Sequence, residues 1–201
     1  MGKQIIISIS REYGSGGRVI AEKIAKDLGL PLYDRNLLDE IAREKGLDAD
    51  NLKAFDEKPR NPFLTRRVRG HSSSMEEAVA EMQFQYLREK ADAGESFVVV
   101  GRCSEWVLRE HRELISIFIT GDWEPRIRRI MEVYQLRKAE AIEKTKRHDK
   151  HRKIYHNTHC GFRWGHPHGY QLMINSSMLG IDGTAEFLED YIEKRSAKQP
   201  S

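Results

Sequence analysis

The sequence predicts an α/β fold of three layers, in which a mostly parallel five-stranded sheet carries helices on both faces. Short apolar runs, typical of buried parallel strands, alternate with longer segments whose apolar residues recur at helical spacing. A glycine-rich turn, residues 14–17, also joins the first apolar run to the first predicted helix. Strands that alternate with helices form parallel sheets because each crossover helix packs back on the sheet.

The length and composition are those of one soluble domain. The 201 residues are 39% hydrophobic and 32% charged, with a formal net charge of +3. This mild charge suits anionic small molecules and does not indicate a nucleic-acid partner. No apolar run is long enough to span a membrane, no signal-peptide pattern is present, and the two cysteines are too few for a disulfide framework. We therefore expect a cytoplasmic protein without a membrane partner; the sequence carries no indication of oligomeric state.

The first half of the chain contains three predicted strands and the helices between them. The strands cover 4–9, 30–33 and 97–102, and the helices cover 19–28, 34–45 and 75–93. Between residues 47 and 74 the periodicity is lost, and two prolines, a basic run and three serines follow one another. This composition predicts an insertion that contains short helices.

The second half continues the alternation. We predict a short helix at 105–110, a strand at 114–119, a helix that begins near Pro125, a helix at 138–155, a loop at 156–169, a strand at 172–175 and a terminal helix at 184–195. In parallel α/β sheets, ligands bind outside the carboxyl ends of the strands. The glycine turn, Asp34 and Arg102 each follow such an end, so we expect all three along one edge of the sheet.

The glycine turn is a candidate phosphate-binding loop. It consists of Gly14, Ser15, Gly16, Gly17 and Arg18. Glycines allow left-handed turns that expose N–H groups, and the following helix adds its positive N-terminal dipole. Arg18 opposes that dipole, and a bound anion would remove the conflict. A simple tight turn is the alternative, because the standard G-x-x-x-x-G-K-[ST] pattern is incomplete: Glu12 replaces the first glycine, Arg18 the lysine and Val19 the hydroxyl residue.

A dinucleotide-binding enzyme is a second interpretation of the same residues. Gly14 and Gly16 match the first two glycines of G-x-G-x-x-G, and Asp34 lies near the position of the ribose-binding acid. Val19 stands where the third glycine belongs, which argues against an NAD(P) site. Asp34 is also a good N-cap for the second helix, and capping is the more common role of such a residue.

Several short motifs, taken in order, are more specific than any one of them. They occupy residues 9–18, 32–35, 100–102, 149–152 and 174–177. Their order and spacing resemble those of nucleoside monophosphate kinases, and most closely of the cytidylate kinase-like family, over nearly the whole chain. That group typically has an arginine-bearing loop, as here, and Cys103 replaces the acid of the Gly-Arg-Asp triplet that binds the acceptor in cytidylate kinases.

The resemblance implies ATP-dependent phosphoryl transfer to a nucleoside monophosphate such as CMP or dCMP, with ATP and Mg²⁺ as cofactors. It implies a three-layer fold of the P-loop NTPase type, as one domain over residues 1–201, with a helical acceptor-side insertion at about 47–93 and a lid at about 138–170. The implied catalytic residues are Arg18, Asp149 and Arg152; the acceptor-binding residues are Asp34, Arg35 and Arg102; and the lid arginines are Arg128, Arg129 and Arg147. Ser10 or Asp122 could hold the magnesium ion through water.

Two further points stay open in the sequence. The missing lysine and hydroxyl of the loop favour a nucleotide-binding sensor or regulator that does not catalyse transfer. A second group of residues has metal-ligand side chains: His156, His159, Cys160, His166 and His168. No C-x-x-C pair accompanies them, and two adjacent ligands are awkward for one tetrahedral ion, so we expect a solvated loop and no metal.

Overall fold

The computed structural model describes residues 3–34, 36–54, 56, 67–68, 71–72 and 75–198. Its strands, in chain order, are β1 Ile6–Arg11, β2 Leu32–Tyr33, β3 Arg67–Val68, β4 His71–Ser72, β5 Phe97–Val100, β6 Leu114–Thr120 and β7 Leu172–Asn175. Five of them form one parallel sheet in the order β2-β5-β1-β6-β7, while β3 and β4 form a separate antiparallel hairpin. The predicted parallel five-stranded sheet is therefore confirmed.

The helices, in chain order, are α1 Gly17–Asp27, α2 Leu37–Lys45, α3 Ala49–Lys53, α4 Met75–Asp92, α5 Ser104–Val107, α6 Trp123–Tyr134, α7 Lys138–His159 and α8 Ser176–Ala197. A 3₁₀ turn, Pro167–Gly169, lies between α7 and β7. Residue 35 and most of the predicted insertion lie outside the described residues. In the described part of the chain, no helix is both long and apolar enough to cross a membrane.

Helices cover both faces of the sheet because the side chains of each strand alternate between them. On one face, Ile6 of β1 and Phe97 of β5 are buried against α2, α4 and α5. On the other, Ile7 and Ile9 of β1 are buried against α1 and α8. Successive residues of a strand point to opposite faces, so apolar runs buried on both sides are expected for a central parallel strand. The predicted three-layer architecture is confirmed.

Three local predictions were wrong. Helix α7 continues to His159, so its last turn includes four residues predicted to lie in a loop. Helix α8 begins at Ser176, and the break expected in the sequence is a kink inside it at Gly180, whose φ of 68° is left-handed. Asp34 does not cap α2: the N-cap is Asn36, and the Asp34 carboxylate pairs instead with arginines.

Candidate functional site

The glycine loop requires its glycines for both conformation and space. Gly14 and Gly16 have φ values of 84° and 81°, in the left-handed region that other residues rarely adopt. A Cβ atom on Gly14 would lie 2.8 Å from the carbonyl oxygen of Arg126. A Cβ atom on Gly17 would lie 2.7 Å from Cβ of Arg11. The loop is thus packed closely between the end of β1 and helix α6.

The loop also presents hydrogen-bond donors that the protein does not use. The Ser15 N–H donates to the Glu12 carbonyl, and the Gly17 N–H donates to the Ser15 hydroxyl over 3.3 Å. Within the loop and the first turn of α1, the described N–H groups without a hydrogen bond are those of Gly14, Gly16, Arg18 and Val19. These groups belong to the loop and to the first turn of α1, where the helix dipole is positive. Such an arrangement binds anions.

The loop forms one wall of an open cleft of about 360 Å³ at the carboxyl edge of the sheet. The opposite wall comes from α6 and α7. The ionisable residues that line the cleft are Arg11, Glu12, Tyr13, Arg18, Glu22, Asp34, Arg129, Tyr134 and Arg152. Arginines outnumber carboxylates among them, which suits a ligand with several negative charges.

Arg129 approaches the loop from the facing helix α6. Its guanidinium carbon lies 3.6 Å from the position of a Cβ on Gly16, and none of the ion pairs found among the described residues includes it. The Arg18 Nε atom is instead 2.9 Å from Asp34 and 3.0 Å from Glu22. Arg18 therefore forms ion pairs at the side of the cleft, and Arg129 is the cation available to an anion in the loop.

A buried arginine fixes the loop to the two helices opposite. Arg126, at the start of α6, donates to the Tyr13 carbonyl over 2.7 Å, pairs with Glu12 over 3.2 Å, and forms an ion pair with Asp149 of α7. Asp149 also accepts from the Tyr13 N–H over 2.7 Å. Asp149 thus orients Arg126 and the loop backbone, while Arg152 lies one turn further along α7.

A smaller cavity lies behind the cleft, and three arginines line it: Arg11, Arg102 and Arg152. Arg102 is 3% exposed, pairs with Asp56 and donates to the Asp34 carbonyl over 3.4 Å. Its backbone is left-handed, with a φ of 60°, a conformation that costs about 1–2 kcal/mol in a residue with a side chain. Strained backbone of this kind clusters at functional sites.

Arg11 and Arg152 line both cavities, so they lie between them. Arg152 donates to the Arg11 carbonyl over 3.3 Å, and its guanidinium lies 5.4 Å from the centre of the Tyr13 ring. The remaining residues expected in the site lie elsewhere. Arg128 and Arg147 are exposed and line neither cavity, and Arg35 lies outside the described residues.

His148 is held neutral beside these arginines. Its ring stacks on Tyr13 with a centroid distance of 4.2 Å. Burial is the main cause that lowers its pKa to about 4, and the charges of Arg152 and Lys144 lower it further. At neutral pH this ring therefore adds no charge to the cleft and serves to support Tyr13.

Comparison with known proteins identifies the family. The sequence pattern of the cytidylate kinase-like family matches residues 6–178. The chain belongs to that family. A curated cytidylate kinase from Pyrobaculum aerophilum is 26% identical over 193 residues, which cover 93% of this chain and 92% of the relative. Another, from Pyrobaculum islandicum, is 31% identical over 127 residues, covering 63% and 59% of the two chains.

Solved structures similar to this cytidylate kinase-like protein agree on its fold. An uncharacterized protein from Eubacterium ventriosum superposes with a TM-score of 0.76 at 34% identity, covering 94% of this chain and 99% of the other. Shikimate kinase from Bacteroides thetaiotaomicron superposes with a TM-score of 0.55 at 14% identity over 94% and 98% of the chains. The fold is thus that of P-loop kinases. A dinucleotide-binding sheet would place the second strand beside β1, whereas β2 lies beyond β5 here.

The cytidylate kinase-like protein offers no ready magnesium ligand among its described residues. The hydroxyl of Ser10 is buried and donates to Glu105 over 3.2 Å, and Asp122 accepts from the Asn175 amide over 2.8 Å. The carboxylates that line the cleft are each paired with an arginine: Glu12 with Arg126, and Glu22 and Asp34 with Arg18. We therefore derive no step through a protein-bound magnesium ion.

Sequence reasoning missed two members of the site. Arg11 ends β1, and the rule that ligands gather at the carboxyl ends of parallel strands could have identified it. Arg126 is absent from the residues expected in the site, because nothing in the sequence indicates that it is 5% exposed or that it faces Glu12 and Asp149.

Proposed function

We propose that this cytidylate kinase-like protein transfers a phosphoryl group from ATP to a nucleoside monophosphate, with CMP or dCMP as the acceptor. One observation carries the proposal: a glycine loop with four unused N–H donors faces a cleft, and two arginines connect that cleft to a second, arginine-lined cavity. Phosphoryl transfer needs two phosphates held in line within positive charge, and little covalent chemistry from the protein.

The donor phosphates are assigned to the loop, from Gly14 to Arg18. Its N–H groups and the N-terminus of α1 would bind phosphate oxygens, and Arg129 supplies a charge-assisted contact from the facing helix. Arg18 would contribute on leaving its carboxylate partners. Mg²⁺ would enter on the ATP phosphates with its own waters, as this ion commonly does, and would neutralise phosphate charge when bound.

The acceptor phosphate is assigned to the smaller cavity, whose volume of about 20 Å³ would have to expand on binding. Arg102 and Arg11 would hold it, since bidentate guanidinium contacts suit phosphate. Asp34, whose carbonyl accepts from Arg102, would contribute on this side, and Arg35 is proposed as a further acceptor-binding residue. The choice of CMP or dCMP rests on the curated relatives, which are named cytidylate kinases.

Arg152 is assigned to the transferring phosphoryl group because it lines both cavities. Asp149 would act indirectly, because it holds the Arg126 side chain and the loop backbone in place. In this proposal residues 138–170, including α7, act as a lid that carries Arg152. Arg129 reaches the cleft from α6, whereas Arg128 and Arg147 are exposed, line neither cavity and contact neither phosphate. Residues 47–93 act as the acceptor-side insertion.

The test is an ADP-release assay of purified protein with ATP, Mg²⁺ and a panel of CMP, dCMP, UMP and AMP. We expect ADP release that depends on the acceptor and is fastest with CMP or dCMP. Binding of ATP and a monophosphate without ADP release for any acceptor would refute the proposal.

A pair of variants tests the assignment of Arg152. Arg152→Ala should lower kcat by roughly 10³-fold or more, as removal of an arginine that stabilises transferring charge does, with a smaller effect on nucleotide Kd. Arg147→Ala on the same helix is the matched control, because Arg147 is exposed and lines neither cavity. Equal effects of both substitutions would contradict the assignment.

A non-catalytic nucleotide sensor is the second candidate. The observation that favours it is the pairing of Arg18 with Asp34 and Glu22, which leaves the loop without the cation expected next to it in the chain. Under this alternative, ATP binding would raise the melting temperature, and no acceptor would release ADP.

A further inference from the structure

Four side chains with metal-binding chemistry meet where the end of α7 packs against the start of α5. They are Cys103, Glu105, His156 and Cys160. Cys103, Glu105 and His156 are each less than 5% exposed, and Cys160 is half-buried. The proposed transfer reaction assigns no role to these four side chains, although Cys103 and His156 also line the smaller cavity, so their conjunction needs a separate explanation.

The distances within this cluster are close to those of a tetrahedral site. The ligand atoms of Glu105, His156 and Cys160 lie within 4.8 Å of one another, and Nε2 of His156 is 2.8 Å from the Glu105 carboxylate. The Cys160 thiol also contacts Cys103. Zinc bonds of 2.0–2.3 Å place neighbouring ligand atoms about 3.3–3.8 Å apart. Small side-chain rotations would bring these three atoms to that spacing, and Cys103, whose thiol contacts Cys160 but lies outside the group of three, would complete the set.

The cluster is built from two ligand pairs on two separate elements. His156 and Cys160 are four residues apart at the end of α7, and residues at this spacing share one face of a helix. Cys103 and Glu105 are two residues apart at the start of α5. Close ligand pairs from two elements are typical of structural zinc sites, which hold separate segments together.

Surrounding polar groups orient the carboxylate of the cluster. Glu105 accepts from Ser10 over 3.2 Å and from Tyr170 over 3.4 Å. Metal ligands are usually held by such outer hydrogen bonds. In addition, Nδ1 of His156 is buried and, in the part of the chain that the structure describes, has no hydrogen-bond partner of good geometry.

The charges also suit a divalent cation. The thiolate is the form of cysteine that binds metals. A zinc ion would displace the proton on the coordinating nitrogen of His156 and would release the thiol protons. The carboxylate and thiolates would balance its charge within the buried site.

We propose that Cys103, Glu105, His156 and Cys160 form a structural zinc site that fastens the end of α7 to the strand edge carrying Arg102. Cys103 directly follows Arg102, so the ion would fix the backbone beside the smaller cavity. The proposal does not depend on the transfer reaction. The proposed site also differs from the solvated loop without metal that the sequence predicts, because Cys103 and Glu105 come from a distant segment. The other histidines of that loop are not part of the site: His159 packs on Phe84, and His166 and His168 pack on each other.

The first test measures metal in tag-free protein grown in zinc-supplemented medium. We expect about one zinc per chain by elemental analysis. Cobalt added to chelator-treated protein should give the intense visible and near-ultraviolet absorption of a tetrahedral thiolate site. Wild-type protein that retains no zinc, binds none in a titration and gives no such absorption would overturn the proposal, and this readout needs no variant.

Two variants localise the ion. Cys160→Ser should lower zinc affinity by roughly tenfold or more and weaken the cobalt–thiolate absorption. His168→Asn is the matched control, because His168 is exposed and outside the cluster, and it should retain full zinc. Equal zinc loss in both variants would refute the assignment. An intact mass lower by two hydrogens without zinc would show a Cys103–Cys160 disulfide instead and would also refute it.

Discussion

Gly14→Ala tests the close packing of the glycine loop, with Gly29→Ala as its control. Both glycines are left-handed, with φ values of 84° and 64°, and they lie near opposite ends of α1. A Cβ atom on Gly29 would meet nothing within 4 Å, whereas one on Gly14 would lie 2.8 Å from the Arg126 carbonyl oxygen. The two variants therefore share backbone strain and differ in steric overlap.

The expected magnitudes follow from that difference. The left-handed conformation costs an alanine about 1–2 kcal/mol at either position. Overlap with Arg126 adds about 1–3 kcal/mol for Gly14→Ala, since the neighbouring backbone must move. At about 2–4 °C per kcal/mol for a chain of this size, Gly14→Ala should melt about 2–12 °C below Gly29→Ala.

The assay combines thermal melting with titration of ATP. Gly14→Ala should weaken ATP binding by roughly tenfold or more, because a displaced loop loses at least one charge-assisted hydrogen bond of about 1.5–3 kcal/mol. Gly29→Ala should bind ATP as the wild type does. Equal melting temperatures and equal affinities in the two variants would refute the reasoning on the loop.

Three further predictions concern residues around the loop. Arg129→Ala should weaken ATP binding by roughly tenfold or more, as measured by isothermal titration. The control is Arg128→Ala, at the exposed neighbouring residue, which should bind ATP as the wild type does. Equal ATP affinities of the two variants would contradict the contact between Arg129 and the bound phosphates. Asp149→Asn, which weakens the ion pair with Arg126, should lower the free energy of unfolding by about 1–3 kcal/mol in urea. The control Asp190→Asn breaks an exposed pair with Lys194 and should lower it by about 0–1 kcal/mol. Equal losses in the two variants would argue against a stabilising role of the Arg126–Asp149 pair. The pKa of His148 is lowered to about 4 in the folded protein, so the unfolded chain binds a proton at this histidine at higher pH, and the free energy of unfolding falls as pH drops from 6.5 to 4. His148→Phe keeps the stack on Tyr13 and should reduce that loss of stability. An unchanged pH profile in this variant would contradict the role of His148.

The fold was predictable because its signals are local. Runs such as Ile5–Ile9 are apolar on both faces, and only a central strand of a parallel sheet buries both. The glycine loop was predictable for the same reason, since a strand, a glycine turn and a helix follow one another directly. The helix ends at His159 and Ser176 were not, because tertiary packing extends both helices beyond the segments with clear periodicity.

The site was only partly predictable, because many of its side chains pair with residues that are distant in the sequence. Arg18 adjoins the loop in sequence, yet its partners Asp34 and Glu22 hold it to one side. Arg129 reaches the loop from a helix more than a hundred residues away. Glu105 has no motif around it, and its contacts with His156 and Ser10 exist only after folding. The charge and spacing of residues in the sequence therefore identify candidate site residues, and tertiary packing determines which of them reach the site.

The most direct test of the proposed transfer is phosphorus NMR of a reaction that contains ATP, Mg²⁺, CMP and wild-type protein. The arrangement of the loop, the two cavities and Arg152 predicts that CDP and ADP form together in equal amounts, and that neither forms when CMP is left out. Appearance of ADP with inorganic phosphate in place of CDP, or no reaction while both nucleotides bind, would contradict it.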